Sequence, residues 1–114
     1  MLQTNLKHIE STQQYQELVA KGTNFAVVCG RMGPMCIPVY GAMEALKEKY
    51  PGVDFYDMEF DSRTAAETIH KLPEVRGFSG LPFTVYHRDG KVVAATTSIQ
   101  TKAQIKTILD SKMV

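Results

Sequence analysis

The chain has 114 residues and two cysteines, and Cys36 is the one whose position could make it reactive. It lies between a loop that contains Gly33 and Pro34 and a segment with strong helical periodicity. The first turn of a helix has unpaired N–H groups and a partial positive charge, and both favour a thiolate over a thiol. The position therefore predicts a nucleophilic cysteine, although a lone cysteine without further context is more often a small buried residue.

The side chains next to Cys36 offer sulfur, but they do not complete a metal site. Met32, Met35 and Cys36 carry soft ligands of the kind that bind Cu(I). No histidine or second nearby cysteine completes the set, so we expect no metal and interpret the methionines as an adaptable apolar rim.

Cys29 is the other thiol, and it comes seven residues before Cys36 in an apolar segment. One strand and a loop should separate the two residues by more than the ~7 Å Cα limit for a disulfide. We expect Cys29 to be a buried core thiol. The alternative is a Cys29–Cys36 pair formed when the loop of residues 30–34 folds back.

Composition excludes several classes of protein. Two cysteines are too few for a disulfide framework or a four-ligand zinc site. The net charge of +1 gives no reason to propose nucleic acid as a partner. No apolar run approaches the ~20 residues of a membrane span, and no secretory signal is visible. We expect one domain over residues 1–114, a monomer in the cytoplasm, without contact with a membrane.

Helical and strand patterns alternate along the chain and supply the elements that position Cys36. The apolar stripes of four helices are Tyr15, Leu18 and Val19; Val39, Met43, Leu46 and Tyr50; Ala65, Ile69 and Leu72; and Ile105, Ile108 and Leu109. Strands are predicted at residues 7–9, 24–29, 53–60, 83–87 and 91–97. The order β-α-β-α-β-α-β-β-α predicts parallel strands followed by an antiparallel hairpin, in a mixed sheet with helices on both faces.

Local signals mark the ends of these helices. Capping boxes are predicted for Ser11 with Gln14 and for Thr101 with Gln104. Gly22 is expected to end the first helix in a left-handed conformation, since glycine adopts it without steric cost. The third helix should begin after Ser62 and continue to Leu72, where the following proline ends it.

These features together resemble the thioredoxin family. The resemblance rests on the order of elements, on the cysteine at the start of the second helix and on Gly80-Leu81-Pro82 before a hairpin, and it extends from about Leu6 to the last helix. The segment Met35-Cys36-Ile37-Pro38-Val39 stands where the family has Trp-Cys-Gly-Pro-Cys. The resemblance implies an α/β thioredoxin-like fold and thiol–disulfide exchange on protein partners without a cofactor.

The same resemblance implies roles for individual residues. Cys36 would be the nucleophile and Pro82 a cis-proline beside it, while the backbone of Leu81 would pair with an extended substrate peptide. Substrate contacts are expected from Met35, Ile37, Pro38, Leu81 and Pro82. A second register, which matches Gly33-Pro34 to the family's central Gly-Pro, would leave both cysteine positions to methionines. We prefer the Cys36 register because it keeps the helical stripe in phase.

Two departures from the family pattern limit the chemistry. Val39 replaces the resolving cysteine, so a mixed disulfide on Cys36 must be released by an external thiol or dithiol reductant. Gly30 replaces a buried acid that assists proton transfer. The sequence thus predicts a monothiol exchange or isomerase activity. The alternative is a non-catalytic module that binds peptides or a partner through the same groove.

Overall fold

The computed structural model describes residues 2–113, which form a five-stranded sheet with helices on both faces. The strands are β1 (Lys7–His8), β2 (Phe25–Gly30), β3 (Asp54–Glu59), β4 (Phe83–Arg88) and β5 (Lys91–Thr97). The α-helices are α1 (Thr12–Ala20), α2 (Ile37–Leu46), α3 (Arg63–Glu67) and α4 (Lys102–Lys112). The predicted order of elements and the α/β class are confirmed.

The sheet has the strand order β1-β3-β2-β4-β5. Strands β1, β3 and β2 are parallel, whereas β4 is antiparallel to β2 and pairs with β5 in a hairpin. All six residues of the central strand β2 are buried, as its nearly continuous apolar sequence predicts. The carboxyl end of β2 leads directly into the loop before α2.

Each face of the sheet covers its own hydrophobic cluster, because side chains alternate along a strand. One cluster joins Ala26 and Val28 of β2 to residues of α2 and α4. The other joins Phe25, Val27 and Cys29 to residues of α1 and α3. Cys36 belongs to the first cluster and Cys29 to the second, so the two thiols pack on opposite faces.

The third helix is shorter than the apolar stripe predicts. Helix α3 ends at Glu67, and short 3₁₀ turns cover Ile69–Lys71 and Pro73–Val75. Leu72 is extended, with φ −68° and ψ 134°, because the ring of the following proline disfavours the helical conformation there. The helix is already interrupted at Thr68, whose hydroxyl bonds back to the Thr64 carbonyl at 2.7 Å.

The capping signals are realised with one exception. Thr101 and Gln104 form a complete capping box at α4. Ser11 caps α1 by accepting from the Gln14 amide, but the side chain of Gln14 bonds the Glu10 amide instead of Ser11. Gly22 adopts φ +68° after α1, the left-handed conformation expected of it.

Candidate functional site

The loop from Arg31 to Cys36 connects β2 to α2 and presents the Cys36 thiol at the start of the helix. The Gly33 carbonyl accepts hydrogen bonds from the amides of Cys36 at 3.1 Å and Ile37 at 3.0 Å, which closes the first turn. The side chain of Cys36 does not cap the helix. Its Sγ instead accepts a hydrogen bond from the Arg31 amide at 3.4 Å. The sulfur is therefore held by a backbone donor at a positive helix end.

Three side chains converge on Gly30, the last residue of β2. A Cβ built at Gly30 would lie 2.8 Å from Cys36 Sγ, 2.8 Å from Tyr40 Oη and 3.0 Å from Pro82 Cβ. The structure thus brings Cys36 and Pro82 together, and the Leu81–Pro82 peptide bond is cis. Only a residue without a side chain fits at position 30 while these three groups keep their places.

The Cys36 thiol is enclosed, although apolar side chains around it are exposed. Cys36 is only 2% exposed. In contrast, Met32, Met35 and Ile37 are 45%, 44% and 48% exposed and form an apolar rim on the loop and the first turn of α2. Pro38 is also exposed, and Leu81 is partly buried. Of the residues expected to contact substrate, Met35, Ile37 and Pro38 are exposed and Leu81 is partly buried, whereas Pro82 and the thiol itself are buried.

No second thiol is positioned to pair with Cys36. Val39 is fully buried in the first turn of α2. Cys29 is also fully buried, and both cysteines are free. Burial raises the pKa of Cys29 to about 12, with smaller contributions from Cys36 and Asp61. Cys29 is a buried core thiol, as the sequence predicts.

Tyr40 is a contact of Cys36 that the sequence reasoning did not single out. Its hydroxyl donates a hydrogen bond to the Arg31 carbonyl at 3.0 Å, and the residue is 3% exposed. Burial raises the pKa of Tyr40, and the nearby Cys36 and Asp57 raise it further. Tyr40 follows Cys36 by four residues, and this helical spacing is the signal that could have identified it.

Charged residues flank the site at the ends of β2 and β3. The Arg31 guanidinium makes two hydrogen bonds to Asp61, at 2.6 and 2.7 Å, and they hold the pKa of Asp61 below its usual range. The guanidinium also stacks over the Phe60 ring at 5.2 Å. This exposed ion pair holds the side chain of Arg31, and the backbone amide of the same residue contacts Cys36 Sγ.

A buried acid occurs on β3, at a position that the sequence reasoning left without a role. Asp57 is 2% exposed and accepts hydrogen bonds from the Thr4 hydroxyl at 2.5 Å and from His8 Nδ1 at 2.7 Å. Burial raises the pKa of Asp57, and the two hydrogen bonds oppose that effect. A pocket of about 200 Å³ opens beside Asp57 and His8.

The described residues contain neither a candidate metal centre nor a candidate membrane helix. No group of three His, Cys, Asp or Glu residues within residues 2–113 is arranged to hold a metal ion. In that same part of the chain, none of the helices has the length and apolar character needed to span a bilayer.

Solved structures similar to this chain are thioredoxins. Thioredoxin O2 from Arabidopsis thaliana is 16% identical, with a TM-score of 0.77, and the match covers 97% of this chain and 96% of that one. Thioredoxin from Fasciola hepatica is 19% identical, with a TM-score of 0.74 over 94% of this chain and 100% of that one. Mitochondrial thioredoxin 3 from Saccharomyces cerevisiae is 17% identical, with a TM-score of 0.72 over 92% and 94%.

No protein-family model matches the sequence, and no curated protein matches it either. At 16 to 19% identity the structural matches establish the fold alone. The chain therefore has the thioredoxin fold. The chemistry of its site depends on the residues that the fold brings together.

Proposed function

We propose that this protein carries out thiol–disulfide exchange with Cys36 as its single nucleophile. The observation that supports the proposal best is the placement of Cys36 Sγ beside Pro82, with the Arg31 amide directed at the sulfur. A backbone N–H and a helix N-terminus both stabilise negative charge on sulfur, and the thiolate is the reactive form. Protein thiols and disulfides are the proposed partners, and no cofactor is needed.

The exchange proceeds in two steps. In the first, Cys36 loses its proton to solvent, and the thiolate attacks one sulfur of the partner's disulfide. A bond forms between Cys36 and that sulfur, the partner's S–S bond breaks, and the second sulfur leaves as a thiolate. In the second step an external thiolate attacks the partner's sulfur in the mixed disulfide. A new disulfide forms between those two sulfurs, and Cys36 is released as a thiolate. Glutathione or a dithiol protein has the chemistry for this step, because Val39 cannot resolve the intermediate.

The apolar rim provides contacts for an extended partner peptide. We propose that Met35, Ile37 and Pro38 bind its side chains, and that the backbone of Leu81, next to Pro82, pairs with its backbone. Since Cys36 is 2% exposed, the loop between Arg31 and Cys36 has to move before a disulfide can reach the sulfur. A reducing compartment such as the cytoplasm would supply the releasing thiol. We propose that a single-domain monomer performs these steps.

One observation favours a second candidate function. An enclosed thiol beneath three exposed apolar side chains is also what a non-catalytic peptide-binding module would present. In that case the Met32, Met35 and Ile37 rim would hold a partner segment without any bond to sulfur. Methionine suits such a surface because its flexible side chain adapts to different partners.

Trapping with a small disulfide separates the two functions. The protein is incubated with oxidised glutathione, and the intact mass is measured without a reductant. We expect one glutathione on the wild type and on Cys29→Ser, the matched control, but none on Cys36→Ser. Failure of the wild type to form the adduct, with peptide binding retained by Cys36→Ser, would establish the binding module instead.

A Val39→Cys substitution tests the position of the missing cysteine. If Val39 occupies the resolving position, the variant can complete a dithiol cycle and should gain reductase activity on the disulfides of insulin. The control is Val39→Cys combined with Cys36→Ser, which again leaves one thiol at the site. An inactive Val39→Cys variant that remains folded would show that the assignment of the site is wrong.

A further inference from the structure

The hydroxyl of Tyr40 has only one hydrogen to donate, and it lies between two neighbouring groups that can accept one, the Arg31 carbonyl and Cys36 Sγ beside Gly30. It donates that hydrogen to the Arg31 carbonyl at 3.0 Å. It also approaches Cys36, since a Cβ at Gly30 would lie 2.8 Å from both Tyr40 Oη and Cys36 Sγ. Tyr40 and Cys36 lie on the same side of α2, where the Tyr40 amide bonds the Cys36 carbonyl at 3.1 Å.

We propose that Tyr40 stabilises the Cys36 thiolate by turning its O–H from the Arg31 carbonyl to the sulfur. This role rests on the proposed function of Cys36, because it concerns the charged form of that thiol. When Cys36 is protonated, the neutral carbonyl of Arg31 is the better acceptor. When the sulfur loses its proton to solvent, the hydroxyl donates to the Cys36 thiolate instead, because charge-assisted hydrogen bonds are about twice as strong.

The surroundings of Tyr40 keep it a hydrogen-bond donor. Burial is the main reason that its pKa is raised, so the hydroxyl stays protonated at neutral pH and does not act as a base. The ring is 3% exposed and packed in the cluster between α2 and the sheet. The ring is thus held in place, and the proposed change of acceptor is a rotation of the hydroxyl about its C–O bond. Because Gly30 has no side chain, the space between the hydroxyl and the sulfur is not filled by a Cβ.

The test is a Tyr40→Phe substitution, which keeps the ring and removes only the hydroxyl. Thiolate formation is followed by its ultraviolet absorbance against pH, a signal that does not require a reagent to reach the enclosed sulfur. Cys36→Ser provides the blank for Cys29 and for the tyrosines. A hydrogen bond to a charged group contributes about 1.5–3 kcal/mol, so the midpoint for Cys36 should move to higher pH by about 1 to 2 pH units.

Tyr86→Phe is the matched control, because Tyr86 is fully buried in the same cluster and its hydroxyl has no hydrogen-bond partner among residues 2–113. We expect this variant to leave the midpoint unchanged. An unchanged midpoint in a folded Tyr40→Phe protein would overturn the role of Tyr40. The readout needs no turnover, so a shifted midpoint in a protein that forms no adduct with oxidised glutathione would support Tyr40 and refute the exchange function.

Discussion

Replacing Gly30 by alanine is the smallest change that tests how the site is assembled. The new methyl group would lie 2.8 Å from Cys36 Sγ and Tyr40 Oη and 3.0 Å from Pro82 Cβ. All three groups are buried, and the Tyr40 hydroxyl is held by the Arg31 carbonyl, so none of them can yield freely. Overpacking of this kind costs about 1–3 kcal/mol, which exceeds what alanine gains by restricting the unfolded chain.

The assay is urea unfolding at neutral pH, and Gly41→Ala is its matched control. Gly41 lies in α2 with nothing within 4 Å of a built Cβ, so alanine there should stabilise the protein by about 0.5–1 kcal/mol. Replacement of glycine by alanine is thus expected to lower the free energy of unfolding at position 30 and to raise it at position 41. The midpoint should shift while the slope m stays the same, because the surface exposed on unfolding hardly changes.

A double-mutant cycle identifies which contact causes the loss. Tyr40→Phe removes one of the two 2.8 Å contacts, so Gly30→Ala should cost less in that background, by about 0.5 kcal/mol or more. Strictly additive effects would mean that the hydroxyl does not restrict position 30. A Gly30→Ala protein as stable as the wild type would refute the close convergence of Cys36, Tyr40 and Pro82 altogether.

Two further predictions concern stability. Burial lowers the pKa of His87 from 6.5 to about 4, so between these values a falling pH protonates the unfolded chain but not the folded one. The free energy of unfolding, measured by urea titration at each pH, should therefore be fully retained above pH 6.5 and fall by about 3 kcal/mol towards pH 4. His87→Gln should weaken this dependence on pH, and an equal dependence in both proteins would contradict the prediction. Thr101→Ala should cost about 1 kcal/mol by breaking the α4 capping box, whereas Thr107→Ala, on an exposed face, should cost less.

Most of the fold follows from local patterns in the sequence. The apolar run that became β2 predicts a strand buried on both faces. The alternation of strands and helices in the first part of the chain predicts its parallel neighbour β3. The third helix shows the limit of such patterns. The stripe that ends at Leu72 suggests a continuous helix, but Thr68 and the proline effect on Leu72 divide it into short turns. Ile69 is nevertheless fully buried, so the stripe predicted burial better than conformation.

The site was predictable only in part, because its contacts depend on tertiary approach. The position of Cys36 at a helix start can be inferred from the residues around it. Its 2% exposure cannot, since that depends on how the loop, β2 and the segment of Pro82 pack together. The burial of Asp57 could not be predicted either, because it depends on pairing with His8 across β1 and β3, which are far apart in sequence.

The absence of the family's buried acid at position 30 and the position of Tyr40 are related. The resemblance places a buried acid at this position, and its loss first suggested a relaxed redox site. In the structure, any side chain at position 30 would come within 2.8 Å of both Tyr40 Oη and Cys36 Sγ. A carboxylate there would accept the proton of the thiol, whereas Tyr40, with its pKa raised by burial, donates a hydrogen bond and takes up no proton. In the proposed exchange the proton of Cys36 therefore leaves to solvent. An exchange site of this kind would depend on an external thiol for its release step and on solvent to take up its proton.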